Sequence, residues 1–286
     1  RFSTSADAST WREVQVFEPK ATNDRQLTNV PPFETNFLKV EVVEPKERYA
    51  HLFSVHALGE EIGPPELKSF DGCWTINGQQ AVITQQGARV TGVIQSDPVT
   101  VLDGGTDGRV ARLMWMRGPQ WGYAAVTLTA DQRALSALTF HQNPLTGYVG
   151  RAWFGTRCES GQKLETAPPV HFLNQSGQWT MSGLAFDDRE QLVETLSRST
   201  LDELVNLMKL APSQRFRIVA HEFRFGKEEN RQRTVARMAS LRAALDARAV
   251  DWSRLELTPS GDEWPIAERV FAVQRLLWSR IDLQLQ

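Results

Sequence analysis

Long apolar runs are missing from this 286-residue sequence. The longest cover a few residues, as at Leu113 to Met116 and Tyr123 to Val126. A membrane helix needs roughly 20 apolar residues in a row, so no helix of this stretch crosses a bilayer. An excess of one charge is missing too. Lys and Arg number 32 against 34 Asp and Glu, a net of −2. Nothing overall draws the chain toward nucleic acid or anionic lipid. Metal spacing is absent: His51, His56, His141, His171 and His221 are scattered, and no pair forms His-x-x-x-His with a carboxylate. There is no Gly-x-Ser-x-Gly elbow to expose a serine nucleophile. Gly104-Gly105-Thr106-Asp107-Gly108 is glycine-rich, but it lacks a Lys and no helical pattern follows. A tight turn is expected there in place of a phosphate cradle. The expectation is a chain with no catalytic residue, no metal and no cofactor. The sequence opens at Arg1 without an initiator Met or a secretory leader. We therefore expect processing, or a preceding segment able to carry a lipid anchor or a membrane span.

Cysteine is scarce. Cys73 and Cys158 stand at the two edges of one β-rich segment. A bridge between them would close a loop of about 85 residues, worth about 4 kcal/mol or more on the chain-entropy model. An oxidising compartment would suit such a bridge. Two buried free thiols are the other reading.

What is present is globular in character: 41% hydrophobic and 23% charged residues. The length suits two to three domains. The pattern falls into three blocks. In the first, residues 1–66, strands are expected at Trp11 to Phe17, Phe37 to Val43 and His51 to Leu58, because apolar and polar residues alternate. Pro19, Pro31-Pro32 and Pro45 punctuate them, and Gly63-Pro64-Pro65 reads as a linker. Three strands cannot close a sandwich alone, so this block is expected to be a β fragment that borrows partners.

The second block, residues 70–160, predicts a small antiparallel meander, hence a barrel or sandwich. Its expected strands are 79–86, 88–95, 98–103, 109–117, 120–129, 134–141 and 148–156. In the fourth, Arg112, Met114 and Met116 face one way, and Leu113 and Trp115 the other. Breaks are expected at Gly87, Asp97-Pro98, Gly104-Gly105, Gly108, Gly118-Pro119, Asp131 and Asn143-Pro144. The third block, residues 175–286, mixes strands and helices. Met181 to Phe186 reads as a strand. Thr200-Leu-Asp-Glu203 reads as a capping box opening a helix that Pro212 stops. Phe216 to His221 alternates as a strand. A second helix is expected over Lys227 to Arg248, with Val235, Met238, Leu241 and Leu245 as its apolar stripe. A strand at Leu255 to Leu257, a short helix near Ala267 to Arg275, and a last strand follow. In that last strand Leu277, Ile281, Leu283 and Leu285 share one face. The order β-α-β-α-β, then helix and β, suits an α/β sandwich with helices on one face of a mixed sheet.

Three resemblances follow from particular residues. Thr35 to Val42 with Leu52 to Glu60 resembles the last strands of a discoidin-like, galactose-binding jelly roll. Gly72-Cys73-Trp74 resembles the Gly-x-Trp that opens calycin barrels such as lipocalins and avidins. A Cys73–Cys158 link agrees with that, since closing a barrel brings the first and last strands together. The third block resembles the OmpA-like C-terminal domain. That family carries Gly-His-Thr-Asp, then Gly, then Asn-x-x-Leu-Ser-x-x-Arg-Ala, and closes on Asn-Arg-Arg. Here Ala220-His221-Glu222-Phe223, Gly226, Asn230, Arg233-Thr234, Arg237-Met238 and Trp278-Ser279-Arg280 take those places.

The resemblance implies binding of the diaminopimelate side chain of peptidoglycan. Arg237 would take the carboxylate as a bidentate partner. Phe223 stands where the family's Asp takes the ammonium, and a ring recovers only about 0.5–2 kcal/mol by cation–π attraction. Glu222, Glu228 and Glu229 are the carboxylates able to substitute. Along a strand Glu222 would face away, and a loop could turn it inward. Without a substitute, the fold serves as a structural or docking module.

Five of the nine tryptophans, Trp74, Trp115, Trp121, Trp153 and Trp179, lie in or beside the second block. They are expected to fill its core, with a sugar-stacking face as the alternative. Arg231, Arg233, Arg237, Arg242 and Arg248 are expected to form a solvated helix face. The reading is a multidomain β plus α/β chain: an all-β N-terminal part, then an OmpA-like α/β sandwich. It implies a non-catalytic structural or assembly subunit in the periplasm or at the outer membrane. Its partners would be other envelope proteins, with peptidoglycan or glycan as the alternative ligand. Nucleic acid is not expected, and membrane contact would come only through a missing segment or a partner.

Overall fold

The computed structural model describes residues 1–5, 10–16, 37–41, 69–108, 110–129, 132–142, 152–159, 169–223, 226–261, 277 and 279–286. The chain divides into two units, Arg1–Ile62 and Gly63–Gln286. In the first, β1 (Phe2–Ser5), β2 (Arg12–Gln15) and β3 (Phe37–Val40) form an antiparallel sheet in the order β2-β1-β3. The central strand β1 carries no alternation long enough to read, and the sequence pattern missed it. The expected strand at His51 to Leu58, and with it the run Leu52 to Glu60, lies outside the described residues.

The second unit opens with eight strands: β4 (Gly72–Ile76), β5 (Gln79–Gln86), β6 (Arg89–Ile94), β7 (Thr100–Thr106), β8 (Val110–Arg117), β9 (Gln120–Leu128), β10 (Ala134–His141) and β11 (Trp153–Arg157). All neighbours are antiparallel, and β11 pairs back onto β4 to close a barrel. Alternate residues point inward and meet: Trp74 and Ile76 from β4, Ala81 and Ile83 from β5, Val90 and Ile94 from β6, Leu113 and Trp115 from β8, Ala124 and Val126 from β9. Eight strands leave an interior just wide enough for side chains to fill. Trp74 is fully buried, and its indole N–H donates to the Phe70 carbonyl at 2.8 Å. Trp115 donates to the Tyr123 carbonyl at 3.2 Å.

Closure is secured three ways. The β4–β11 ladder pairs Trp74 with Arg157 and Ile76 with Gly155. Cys73 and Cys158 form a disulfide, with Cα atoms 5.3 Å apart. The Arg157 guanidinium lies 4.4 Å over the Trp74 ring and donates to the carbonyls of Ser69, Asp71 and Gln132.

One glycine reading is overturned. Gly104-Gly105 is not a turn but the middle of β7; the bends fall at Asp107 and Gly108. The reason is close backbone approach. A Cβ at Gly104 would lie 2.0 Å from the Arg112 carbonyl oxygen, and one at Gly105 would lie 2.0 Å from that of Ser182. The chain at 181–183 lies directly on the barrel wall there.

The rest of this unit consists of α1 (Pro169–Ser176), β12 (Gln178–Thr180), α2 (Glu194–Leu210), β13 (Phe216–His221), α3 (Lys227–Asp246), β14 (Leu255–Gly261) and β15 (Ile281–Leu285). The sheet order is β12-β15-β13-β14. β13 and β14 run parallel, and β15 is antiparallel to both β12 and β13, so the sheet is mixed.

Several local expectations are corrected. Met181 to Phe186 is not a strand. β12 ends at Thr180, and only an isolated bridge between Phe186 and Leu192 follows. Thr200 is not an N-cap: α2 begins at Glu194, and Thr200 lies well inside it, 1% exposed. Glu194 supplies the negative charge a helix start favours. Ser197 bonds the N–H of Ala185 at 2.9 Å. Glu203 is turned to the barrel, 3.5 Å from Arg89. Val235 is not in the buried stripe of α3 but 43% exposed. The buried set Asn230, Thr234, Met238, Leu241 and Leu245 advances by three or four residues, and position 235 is rotated off it. Leu277 precedes β15, and Leu285 at its far end is 39% exposed. The short helix expected near Ala267 to Arg275 lies outside the described residues.

Candidate functional site

The residues singled out by the sequence meet where β13 ends and α3 begins. Gly226 is the N-cap of α3, with φ −71° and ψ 157°. Its carbonyl accepts from the Asn230 N–H at 2.8 Å, and Asn230 is 1% exposed. One face of α3 then carries Arg233 and, one turn on, Arg237. Glu222 follows the last residue of β13 and is fully buried. It does not face away: Arg237 Nη1 donates to its Oε2 at 3.0 Å. The chain leaves the sheet at that point, which frees Glu222 from strand alternation. Its other oxygen accepts from the Ser279 hydroxyl at 2.5 Å and the Phe223 N–H at 2.9 Å. Phe223 is 2% exposed, a core residue. The ring that lies against Arg237 is Phe186, 5.5 Å from the guanidinium carbon.

A further carboxylate, one that sequence reasoning missed, completes the site. Glu190 accepts from Arg237 Nε and from Arg233 Nη1. It is 6% exposed and sits in left-handed backbone at φ 58°. The segment that carries it is a tight hairpin. Asp187 Oδ1 accepts from the N–H groups of Arg189 and Gln191, and Phe186 bridges Leu192. Nothing in the run Asp187-Asp188-Arg189-Glu190 announces this role. Glu229 pairs with Arg233 at 3.1 Å, whereas Glu228 pairs with Arg231 on the exposed side. Further along, Arg242 of α3 stacks over Trp252 at 4.6 Å, and Arg248, just past the helix, meets Glu194 and Asp202. Each buried charge therefore faces an opposite charge, the condition under which charged groups persist out of water.

A second polar cluster lies where the barrel wall meets the mixed sheet. Arg280, from the segment expected to belong to the ligand site, points here instead. Its Nε donates to Asp282 at 2.8 Å, and its guanidinium lies 4.6 Å over the Tyr123 ring of β9. Asp282 also accepts from the Thr180 hydroxyl at 2.6 Å. Tyr123 reaches Thr180 and accepts from Gln178. Burial pushes the Tyr123 hydroxyl up to about 12. Beside it, Arg89 pairs with Asp103 at 2.8 Å, and burial pushes the Asp103 carboxyl up against the pull of Arg89.

His221 borders this cluster, 3.8 Å from Asp282. Burial pushes its imidazole down to about 4, with Asp282 opposing and Arg280 reinforcing the shift. The folded state thus holds a neutral ring, and the contact with Asp282 is not an ion pair at neutral pH. The unfolded chain binds the proton near pH 6.5. The contribution is therefore whole above pH 6.5 and is lost as pH falls toward 4, by about 3 kcal/mol in all. His221→Asn should flatten this part of the acid profile. Thermal midpoints of both proteins between pH 7.5 and 4.5 check it: parallel curves would show that His221 plays no part.

Of the five tryptophans in or beside the barrel, Trp74, Trp115 and Trp179 are buried, and Trp121 and Trp153 are half-buried. Among the described residues no group of three or more His, Cys, Asp or Glu is placed to hold a metal ion.

No protein-family model matches this chain, and no curated protein matches it. Among solved structures, it is similar to a crystal structure described as a putative MotB like protein from Desulfovibrio vulgaris. That likeness covers 38% of this chain and 70% of the other, at 17% identity and a TM-score of 0.32. At those values it carries no argument about what this chain does.

Proposed function

We propose that this chain is a non-enzymatic structural or assembly component of a bacterial envelope complex, and that its α/β part is an OmpA-like module given over to contact instead of wall capture. The observation that carries the second half is the state of Arg237. A ligand carboxylate would need its guanidinium, and Glu190 and Glu222 already take it. Both carboxylates are buried, so displacing either exposes a charge that burial has desolvated. The OmpA-like assignment rests on the run Ala220 to Met238 with Trp278-Ser279-Arg280. The disulfide fits the oxidising side of an inner membrane, in the periplasm or at the outer membrane. The partners of such a module are other envelope proteins.

One observation favours the alternative, a peptidoglycan- or glycan-binding anchor. Glu222 and Arg237 stand 3.0 Å apart, which supplies the cation and the anion that a zwitterionic diaminopimelate centre would need. A pull-down with purified sacculi separates the two. Retention at background for the intact chain and for Arg237→Ala is the expected result. Strong retention that Arg237→Ala abolishes, with an unchanged circular dichroism spectrum, would establish the anchor and sink the assembly reading.

A further inference from the structure

We propose that Glu190 is a built-in stopper: its carboxylate occupies the anion-accepting side of Arg233 and Arg237, and a carboxylate-bearing ligand can enter only when the 187–191 hairpin lifts. This rests on reading the α/β part as a contact module whose arginine site is closed. Three observations support it. First, a single carboxylate, delivered from more than forty positions upstream, meets two guanidinium groups one helical turn apart. Charge-assisted contacts of this kind are the strong ones among hydrogen bonds. Second, the hairpin presents Glu190 at φ 58°, where a residue with a Cβ is uncommon. Such a conformation persists only where its surroundings over-determine it. Here Asp187 fixes the turn from within, by accepting the N–H groups of Arg189 and Gln191. Its carbonyl accepts the N–H of Glu190 itself. Third, the site is graded in depth. The Glu222 side chain is 0% exposed, those of Glu190 and Arg237 8% and 11%, and that of Arg233 29%. Glu190 is the outer of the two carboxylates, and the one carried on a short loop. Removing its charge takes one of two carboxylates from each arginine: Arg237 keeps Glu222, and Arg233 keeps Glu229.

A closed site weakens the apparent affinity of any ligand by the fraction of time it stands open. A stopper that is seated nine-tenths of the time or more therefore weakens binding at least about tenfold. The test compares the intact chain with Glu190→Gln, using glutarate as the probe. Isothermal titration is run at constant ionic strength, and amide exchange of Arg189, Gln191 and Leu192 is followed in parallel. Glu190→Gln should bind glutarate at least about tenfold more tightly than the intact chain. Adding Arg237→Ala to it should remove the gain, and the three amides should exchange faster. Equal affinity in a folded Glu190→Gln protein overturns the proposal, leaving Glu190 as a plain cross-link between loop and helix. So does tight glutarate binding by the intact chain. If Glu190→Gln does not fold, Glu190→Asp decides. It keeps the charge, but one methylene shorter it cannot span both arginines, so it should show part of the gain; no gain is again fatal. The sacculus pull-down remains a separate readout. Retention of the intact chain would refute the closed-site reading itself, whatever glutarate does.

Discussion

Reducing the Cys73–Cys158 bridge should destabilise the Gly63–Gln286 unit more than any single surface change. The two half-cystines are 85 positions apart. On the chain-entropy model a loop of that length is worth about 4–5 kcal/mol, because the open chain regains the freedom the bridge denied it. At about 2–4 °C per kcal/mol for a unit of this size, the melting point should fall by about 10–15 °C. The location adds to the argument. β4 and β11 are five residues each, and their ladder pairs only Trp74 to Ile76 with Arg157 to Gly155. The seam of the barrel is thus its shortest pairing, and the bridge lies at its end. Calorimetry of the oxidised protein, the reduced protein and a Cys73→Ala, Cys158→Ala double variant checks this. A fall below about 3 °C would mean that the ladder and the Arg157 clamp close the barrel without covalent help.

Asp282→Ala is expected to rank second. Asp282 is fully buried and serves Arg280 and Thr180 at once. The Arg280 side chain is 5% exposed, so removing Asp282 takes the carboxylate from a buried cation between barrel and sheet. Breaking one partner of such a pair costs about 3–5 kcal/mol. Replacing both, as Arg280→Met with Asp282→Leu, should cost far less, since an apolar pair of similar volume has no charge to desolvate. Urea unfolding of Asp282→Ala gives the first cost, and unfolding of Arg280→Met, Asp282→Leu and their double variant closes the cycle. If Asp282→Ala costs less than about 1 kcal/mol, water reaches Arg280 and the pair does not hold barrel and sheet together.

Much of the barrel was legible because a strand buried on one face writes its period into the chain. Seven of its strands were anticipated near their observed positions, and the structure decides for the bridge where the sequence left two free thiols as the other reading. Gly104-Gly105 was misread for a reason that no window of sequence contains. Glycine usually marks a bend, but here it makes room for Ser182, almost eighty positions later. Thr200 to Glu203 satisfies the pattern of a helix start, yet the helix runs further back because Ser197 and Glu194 gain their partners from the fold. Val235 is apolar at a spacing compatible with the stripe, and the sheet it would have met lies under Thr234 and Met238 instead. The candidate site was legible as a spacing, Glu222 to Arg237, and illegible as a balance of charge. Glu190 enters through a left-handed loop residue, and backbone of that kind has no periodic signature.

The filled interior of the barrel limits what the barrel can be asked to do. Trp74, Leu102, Leu113 and Phe70 belong to one buried hydrophobic cluster, so side chains pack its core. The disulfide staples its seam, and Tyr123 on its wall meets Thr180 and Arg280 of the sheet, so barrel and sheet share one buried joint.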